Sequence, residues 1–213
     1  MPPSLTDSPI FATLAQLIAS VTAEFDQISE ERKLTLQKLT EYVRSKVAAN
    51  QPARLVFICT HNSRRSHLSQ IWAQLAARHY GIPDVETYSG GTEATAFNPR
   101  AVKAMRKAGF QIDHTGSETN PVYFLKWGEE AAPVKAYSKV YDAEGNPTQD
   151  FAAIMTCTEA DQNCPLIRGA EMRLPLPYHD PKDFDGTPQE EAQYDERARQ
   201  IAQELFYAFS LVK

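Results

Sequence analysis

The sequence predicts an α/β fold, a three-layer sandwich in which a central, mainly parallel sheet is covered by helices on both faces. Two short apolar runs, residues 55–58 and 151–156, have the composition of strands buried on both faces. Stretches with the periodicity of amphipathic helices alternate with such runs, which favours parallel pairing. A length of 213 residues suffices for one ordinary domain with an additional element.

Residues 1–50 are predicted to form a helical extension of two amphipathic helices. The first is expected to begin at Ser8-Pro9, and the second to begin after a cap at Ser29. Helical spacing gives each helix an apolar stripe: Ile10, Leu14, Leu17, Val21 and Phe25 on the first, then Leu36, Leu39, Val43 and Val47 on the second. We expect these stripes to pack against the rest of the chain, with a homodimer or a partner-binding surface as the alternative. Residues 49–53 are expected to form the linker to the first strand.

Residues 54–213 are predicted to form the domain itself. Its first strand is followed by a helix from Ser66 to about residue 80, a strand at 85–88, a turn at 89–91, and a helix from Asn98-Pro99 to Gly109. Residues 119–150 have strand-like segments and a turn in place of helical periodicity. They predict a β-hairpin or loop insertion near the sheet edge, with strands at 122–127 and 134–141. A strand at 172–176 and a helix from 187 to about 211 close the chain.

The loop at residues 59–66 (the Cys59 loop) carries the strongest chemical signal. A strand, a tight polar loop and a helix N-terminus together form an anion-binding geometry, with loop N–H groups pointing inward. Such a field is expected to hold Cys59 as a nucleophilic thiolate, and Arg65 can bind two oxygens of a tetrahedral oxyanion. This combination points to attack on phosphorus or arsenic through a covalent thiol intermediate. The alternative is that Cys59 is a small core residue. The predicted oxyanion-binding residues are Thr60, His61, Asn62, Ser63, Arg64, Arg65 and Ser66.

A second pair of thiols, Cys157 and Cys164, begins where another predicted strand stops. A dithiol beside a reactive thiolate can pass a disulfide along, first through Cys157 and then through Cys164. The alternative is that both are buried, inert thiols. The spacing does not suggest zinc, and the five histidines form no H-x-x-x-H pattern, so no metal or cofactor is predicted.

Asp180 is the candidate general acid, because the leaving group needs a proton and Asp180 lies in a loop before the last helix. Pro181 fixes the loop behind it. Asp183 and Asp185 are the rival carboxylates, and a loop aspartate is often only a turn former.

The charge balance limits the classes of partner. The chain carries 22 Lys and Arg against 27 Asp and Glu, a formal net charge of −5, which argues against nucleic acid or an acidic membrane as a non-specific partner. No apolar run approaches the ~20 residues that a membrane span requires, and residues 1–7 lack the positive region of a signal peptide. Three cysteines do not suggest a secreted disulfide framework, so a cytoplasmic location is expected.

Several segments together resemble a known family. The Cys59 loop, the stretch YSGGTEATAFNPRAVKAMRKAGF and the pair Asp180-Pro181 are similar to the low-molecular-weight protein tyrosine phosphatase superfamily. Within it, CTEADQNC and the later DGTPQEEAQYDERARQI resemble the thioredoxin-coupled arsenate reductases. The resemblance runs from about Arg54 to the last helix. It leaves residues 1–50 and the insertion at about 119–150 as additions to a low-molecular-weight phosphatase-like catalytic domain.

The resemblance implies a role for each matching residue. Cys59 would be the nucleophile, Arg65 the oxyanion clamp and Asp180 the acid, with Asn62 and Ser66 as loop supports. Cys157 and Cys164 would relay the disulfide to thioredoxin as arsenate becomes arsenite. The sequence departs from the family at His61, where glycine is usual, and at Arg64, where cysteine is common. Gln70 stands where an acidic residue would be expected, so the potassium ion bound by some reductases is not predicted.

The sequence leaves two other functions open. A phosphotyrosine phosphatase would use Cys59, Arg65 and Asp180 on a phosphate ester and leave the other two cysteines idle. Tyr178 and Phe184 could then line a pocket for the tyrosine ring. A non-enzymatic binding module on the same fold gains little support, because every chemical position is filled.

Overall fold

A computed structural model describes residues 9–163 and 166–212. Its central sheet has four parallel strands: β1 (Ala53–Cys59), β2 (Val85–Gly91), β6 (Phe151–Met155) and β7 (Ala170–Pro175), in the order β2-β1-β6-β7. A second, three-stranded antiparallel sheet consists of β3 (Gln111–Thr115), β4 (Val122–Lys126) and β5 (Val134–Ala136). The predicted α/β class with a central, mainly parallel sheet is confirmed.

Alternate residues of the central strands face two different cores. Leu55 and Phe57 of β1 join the large core, which is covered by α1 (Ala12–Thr22), α2 (Glu30–Ala48), α3 (Arg65–His79), α4 (Pro99–Ala108) and α6 (Glu190–Ser210). Val56 and Ile58 join a smaller core on the other face, with Cys157 and with Ala160 of α5 (Thr158–Asn163). The two faces are therefore covered unequally.

The N-terminal helices bury their apolar stripes within the same chain. Leu14 and Ile18 of α1 and Leu36 and Leu39 of α2 lie in the large core. This confirms the expected packing, while a homodimer through these helices stays a prediction. Ser29 caps α2 by accepting a hydrogen bond from the N–H of Arg32.

The first helix starts later than its sequence predicts. It begins at Ala12, with Phe11 as its cap, so the proposal that Pro9 lies in the first turn is wrong; Ser8 is outside the described residues. The N–H of Phe11 instead donates to the carbonyl of Trp127 at 2.9 Å. A tertiary contact thus fixes the start of α1.

The insertion differs from its prediction at both ends. Its first strand, β4, pairs with β3, a strand that the sequence did not predict. Its second strand, β5, ends at Ala136, so residues 137–141 do not pair in this sheet. The reason is that Ser138 is bonded to a side chain, since its N–H donates to Oδ1 of Asn120 at 3.1 Å. The neighbouring Lys139 carbonyl accepts from the N–H of Gly91 at 2.9 Å. Residues 137–141 therefore lie against the end of β2.

The predicted turn at 89–91 is also wrong, because β2 continues through Gly91. A Cβ atom on Gly91 would lie 2.6 Å from both the backbone N of Asn62 and the carbonyl oxygen of Thr60. Only glycine lets the end of this strand approach the Cys59 loop so closely.

The remaining boundaries agree with the sequence to within a few residues. Asn98 caps α4 by accepting from the N–H of Arg100 at 2.9 Å, and Gly109 ends that helix with a φ of 112°. The last helix begins at Glu190 rather than at Thr187, because the N–H of Glu190 donates to the carbonyl of Thr187 in a turn before the helix. Within the described residues, no helix is long and apolar enough to cross a membrane.

Candidate active site

Cys59 lies at the carboxyl end of β1, 3% exposed, at the base of its loop. Its Sγ is 3.0 Å from Oγ of Ser66, and that oxygen also accepts a hydrogen bond from Nδ2 of Asn62 at 2.9 Å. Because the amide N–H occupies an acceptor position of the hydroxyl, the hydroxyl proton is free to point at the sulfur. Ser66 can therefore donate to the sulfur of Cys59, a contact that would stabilise a nucleophilic thiolate.

Asn62 sets the conformation of the loop. It has a φ of 43°, in the left-handed region that asparagine tolerates better than most residues. His61, in contrast, has no positive φ, so a residue other than glycine fits there without strain. The Oδ1 atom of Asn62 accepts from the backbone N–H of Lys139 at 2.9 Å, so its side chain is bonded at both ends.

Hydrogen bonds from residues outside the Cys59 loop hold the backbone of the loop in place. The hydroxyls of Ser138 and Thr95 both donate to the carbonyl of His61, each at 3.1 Å. Asn98 donates its N–H to the carbonyl of Ser63 at 2.8 Å. No sequence motif marks Ser138 and Lys139, because their role depends on the fold of the insertion.

Arg65 and Asp180 are in direct contact. One terminal nitrogen of Arg65 donates to the carbonyl of Tyr178 at 3.0 Å, and the other to Oδ2 of Asp180 at 2.7 Å. Asp180 is therefore the carboxylate at the Cys59 loop. Of its rivals, Asp185 instead accepts from the hydroxyl of Tyr194 at 2.9 Å. An oxyanion in the loop would compete with Asp180 for the guanidinium of Arg65.

Arg64 adds a second guanidinium to this side of the site. Its terminal nitrogen lies 3.8 Å from Oδ2 of Asp180, and its Nε donates to the hydroxyl of Tyr194 at 3.1 Å. Through Tyr194 it is connected to Asp185. Arg64 thus connects the Cys59 loop to α6 and to the segment that carries Asp180.

Cys157 lies beside the Cys59 loop and is fully buried. Its Sγ is 3.5 Å from Oγ1 of Thr60, the residue after Cys59, and 3.4 Å from the backbone nitrogen of Ala160, which donates to it. Burial raises the pKa of the Cys157 thiol, and these two hydrogen bonds oppose that effect. Cys164 lies outside the described residues.

The two histidines that flank the loop differ in their surroundings. His61 is partly exposed, with Nε2 at 3.6 Å from a carboxylate oxygen of Glu93. His67 is fully buried, its ring stacked on Phe97 at 4.3 Å and its Nδ1 at 3.2 Å from Oγ of Ser89. His67 is therefore a packing residue.

Comparison with known proteins gives a consistent assignment. The family described as Low molecular weight phosphotyrosine protein phosphatase matches residues 54–124. The arsenate reductase of Bacillus licheniformis is 30% identical over 145 residues, which cover 68% of this chain and 86% of that protein. The arsenate reductase of Bacillus subtilis is 27% identical over 145 residues with the same coverage.

A solved structure shows the same fold. A mutant of YwlE from Bacillus subtilis aligns with 74% of this chain and 97% of its own length, at a TM-score of 0.50 and 15% identity. Given the identity and coverage of the curated relatives, the chain is an enzyme that belongs to the arsenate reductase family, built on the low-molecular-weight phosphatase fold.

Proposed function

We propose that this enzyme reduces arsenate to arsenite, using Cys59 as nucleophile and the Cys157–Cys164 pair as the electron source. The observation that supports this best is the position of Cys157, whose sulfur lies 3.5 Å from the hydroxyl of Thr60 and so beside the nucleophile. A phosphate hydrolase has no need of a second thiol at this place. Burial alone does not account for it, because the sulfur also contacts two polar groups, the hydroxyl of Thr60 and the N–H of Ala160.

In the first step the Cys59 thiolate attacks arsenic and forms an S–As bond. One arsenate oxygen leaves as water, after receiving a proton from Asp180. Arg65 and the N–H groups of the loop stabilise the oxygen atoms that carry the negative charge. For this to happen the guanidinium of Arg65 exchanges its bond to Asp180, at 2.7 Å here, for bonds to the oxyanion.

In the second step the Cys157 thiolate attacks the sulfur of Cys59. The S–S bond forms as the S–As bond breaks, and its electron pair remains on arsenic, which leaves as arsenite. Arsenic is reduced from the +5 to the +3 state while two thiols are oxidised. The N-terminus of α5, at Thr158, lies next to Cys157, and the N–H of Ala160 stabilises its thiolate.

In the third step Cys164 attacks Cys157 and releases Cys59 as a thiolate. The resulting Cys157–Cys164 disulfide is reduced by a dithiol protein, for which we propose thioredoxin. Such a cycle requires a compartment that keeps thiols reduced, which is what the cytoplasmic location expected from the sequence would provide.

A phosphatase activity is the second candidate, since Cys59, Arg65 and Asp180 are assembled as hydrolysis of a phosphate ester would require. The pocket for a tyrosine ring is less complete than the sequence suggests. Tyr178 is buried, with its ring 4.8 Å from the guanidinium carbon of Arg32. Of the two aromatic residues that the sequence suggested, Phe184 is 36% exposed and remains available to contact an aryl group.

The test measures arsenate-dependent NADPH consumption with thioredoxin and thioredoxin reductase. Wild type is compared with Cys157→Ser and Cys164→Ser, and hydrolysis of para-nitrophenyl phosphate is measured for all three. We expect both serine variants to lose sustained arsenate turnover, because each lacks one thiol of the relay, while ester hydrolysis persists.

Cys59→Ser is the control, and it should lose both activities because both need the nucleophile. Brisk ester hydrolysis without arsenate turnover in the wild type, unchanged by either substitution, would contradict the reductase and leave the phosphatase.

A further inference from the structure

A cavity of about 590 Å³ lies beside the Cys59 loop but is not part of it. It is bounded by α3, by β2 and by the insertion, and none of the residues 59–66 lines it. Its size is within the range of pockets that hold small molecules. The mechanism proposed above uses none of the residues that line it.

The lining is cationic. Arg78, Lys135 and Lys139 contribute positive side chains, whereas Glu130 contributes one exposed carboxylate. Within residues 9–163 and 166–212, none of the three cations forms an ion pair with a carboxylate. The ammonium groups of Lys139 and Lys135 lie 4.5 Å and 5.2 Å from the centre of the same Tyr137 ring.

The two ammonium groups repel each other, and a bound anion would remove this electrostatic penalty. Lys139 is 8% exposed, and its burial together with the charge of Lys135 lowers its pKa to about 8. A dianionic group between them would favour the charged form and remove the repulsion.

A buried acceptor also lines the cavity. Gln70 is 4% exposed, and its Nε2 donates to the carbonyls of Thr87 and Lys135 at 3.2 Å and 3.3 Å. Its Oε1 is buried and has no hydrogen-bond partner among the described residues. A buried carbonyl oxygen without a donor is costly, so a ligand hydroxyl or N–H that shifts this side chain slightly and donates to it would be favourable.

We propose that this cavity binds a phosphate-bearing small molecule with a planar ring. The phosphate is held by Lys135, Lys139 and Arg78, a hydroxyl or N–H of the ligand donates to Gln70, and the ring lies against Trp127. A phosphate suits point charges such as lysine ammonium groups, and an arginine adds a planar fork of donors. The site is distinct from the Cys59 loop and does not depend on which reaction that loop performs.

Occupation of the cavity would act on the Cys59 loop through two short connections. Lys139 donates its backbone N–H to Oδ1 of Asn62, and its carbonyl accepts from Gly91. Gln70 lies on α3, which begins at Arg65. A ligand bound to the side chains of Lys139 and Gln70 thus contacts the residues that hold the loop in place.

The test uses 5′-AMP as the probe, with adenosine and inorganic phosphate as comparisons. The chain has two tryptophans, of which Trp72 is fully buried and Trp127 lines the cavity, so tryptophan fluorescence reports on binding. Titrations are made in an Arg65→Ala background, which removes oxyanion binding at the Cys59 loop. We expect saturation by 5′-AMP with a Kd of about 1 mM or lower, and loss of the signal in Trp127→Phe.

Lys139→Met and Lys135→Met should each weaken binding about tenfold or more, because each removes a charge-assisted hydrogen bond. Lys135 is exposed, so its variant keeps the test informative if Lys139→Met does not fold. Lys38→Met removes the same charge from the exposed face of α2 and should leave binding unchanged.

Three results would overturn the proposal. The first is no saturable binding in the Arg65→Ala background. The second is binding that Lys135→Met leaves unchanged. The third is equal affinity for adenosine or for inorganic phosphate alone, because the site then does not recognise a phosphate joined to a ring.

Discussion

Asn62 holds the Cys59 loop through its backbone and through both ends of its side chain. Its left-handed φ of 43° turns the chain, its Nδ2 donates to Ser66, and its Oδ1 accepts from Lys139. The bond to Ser66 frees the hydroxyl proton of that serine for the sulfur of Cys59. One residue therefore connects the insertion to the nucleophile.

Asn62→Ala should lower the free energy of unfolding and the activity together. The buried N–H of Lys139 and the hydroxyl of Ser66 would each lose a hydrogen-bond partner, at a cost of about 1–3 kcal/mol each. The backbone strain of an alanine at positive φ adds about 1–2 kcal/mol. Urea unfolding and turnover measure the two effects.

Two variants separate these causes. Asn62→Gly removes the hydrogen bonds without the strain, and Asn50→Ala adds only strain, because Asn50 is exposed with a φ of 52°. A loss in Asn62→Ala no larger than that in Asn50→Ala would show that the side-chain bonds contribute nothing.

His67 ties stability to pH. Burial is the main cause that lowers its pKa from 6.5 to about 3, and the charge of Lys139 adds to it. The folded state therefore holds this imidazole neutral, while the unfolded chain takes up a proton as the pH falls below about 6.5.

The free energy of unfolding should therefore decrease on acidification, by up to about 1.4 kcal/mol per pH unit between pH 6.5 and pH 3. Chemical denaturation at pH 7, 6 and 5 measures it, and His67→Gln, which cannot titrate, is the matched control. A slope in His67→Gln as steep as in wild type would assign the pH dependence to other groups.

At the scale of elements, α2 helps to hold the segment that carries Asp180. Arg32 donates to the buried carboxylate of Glu204 at 2.9 Å and to the carbonyl of Pro177 at 3.2 Å, and its guanidinium lies over the Tyr178 ring. The next residues, Tyr178 and Asp180, contact Arg65. The N-terminal extension is thus coupled to the active site.

Arg32→Met should cost about 3–5 kcal/mol of unfolding free energy, because Glu204 is 3% exposed and would be left as an unpaired buried charge. The double variant Arg32→Met/Glu204→Gln should recover part of that loss. Thermal and urea unfolding measure both.

Lys33→Met is the control on the same helix. Lys33 pairs with Glu30, whose side chain is 86% exposed, and such a pair contributes about 0–1 kcal/mol. If Arg32→Met proved as mild as Lys33→Met, the buried ion pair would not anchor the extension.

At the scale of the whole molecule, α6 is the helix around which the extension and the catalytic domain are joined. Thr40 of α2 donates to the carbonyl of Ala208 at 2.8 Å, and Arg199 of α6 pairs with Glu24 at 2.6 Å. Phe206 and Phe209 of α6 lie in the same core as Leu14 and Leu36. The extension is therefore part of the core.

Deletion of residues 1–50 should abolish cooperative folding. It exposes the apolar face of α6, and burial of each large apolar side chain contributes about 1.5–3 kcal/mol against a total stability of about 5–15 kcal/mol. Loss of a cooperative urea transition, together with binding of a hydrophobic dye, would be the expected result. A truncated chain with the midpoint of the full one would show that the domain folds alone.

Much of this architecture follows from local patterns. The apolar runs of β1 and β6, the cap at Asn98 and the stop at Gly109 depend on a few adjacent residues, and the structure agrees with each of them. The sequence-based predictions are wrong where contacts between distant segments determine the local structure. β2 extends through Gly91 because residue 141 donates its N–H to the carbonyl of Gly91. Residues 137–141 do not continue strand β5, because the N–H of Ser138 donates to the side chain of Asn120.

The sequence by itself determined the fold class, the Cys59 loop and the choice of Cys59, Arg65, Asp180 and Cys157 as candidates, because each lies at a strand end or loop that local pattern marks. Only the tertiary structure decided that Asp180 is the carboxylate that contacts Arg65, that Cys157 lies beside Thr60, and that Ser138 and Lys139 hold the loop. The physical reason is separation along the chain. These contacts join residues 77 to 115 positions apart, and no local periodicity or propensity encodes such a distance.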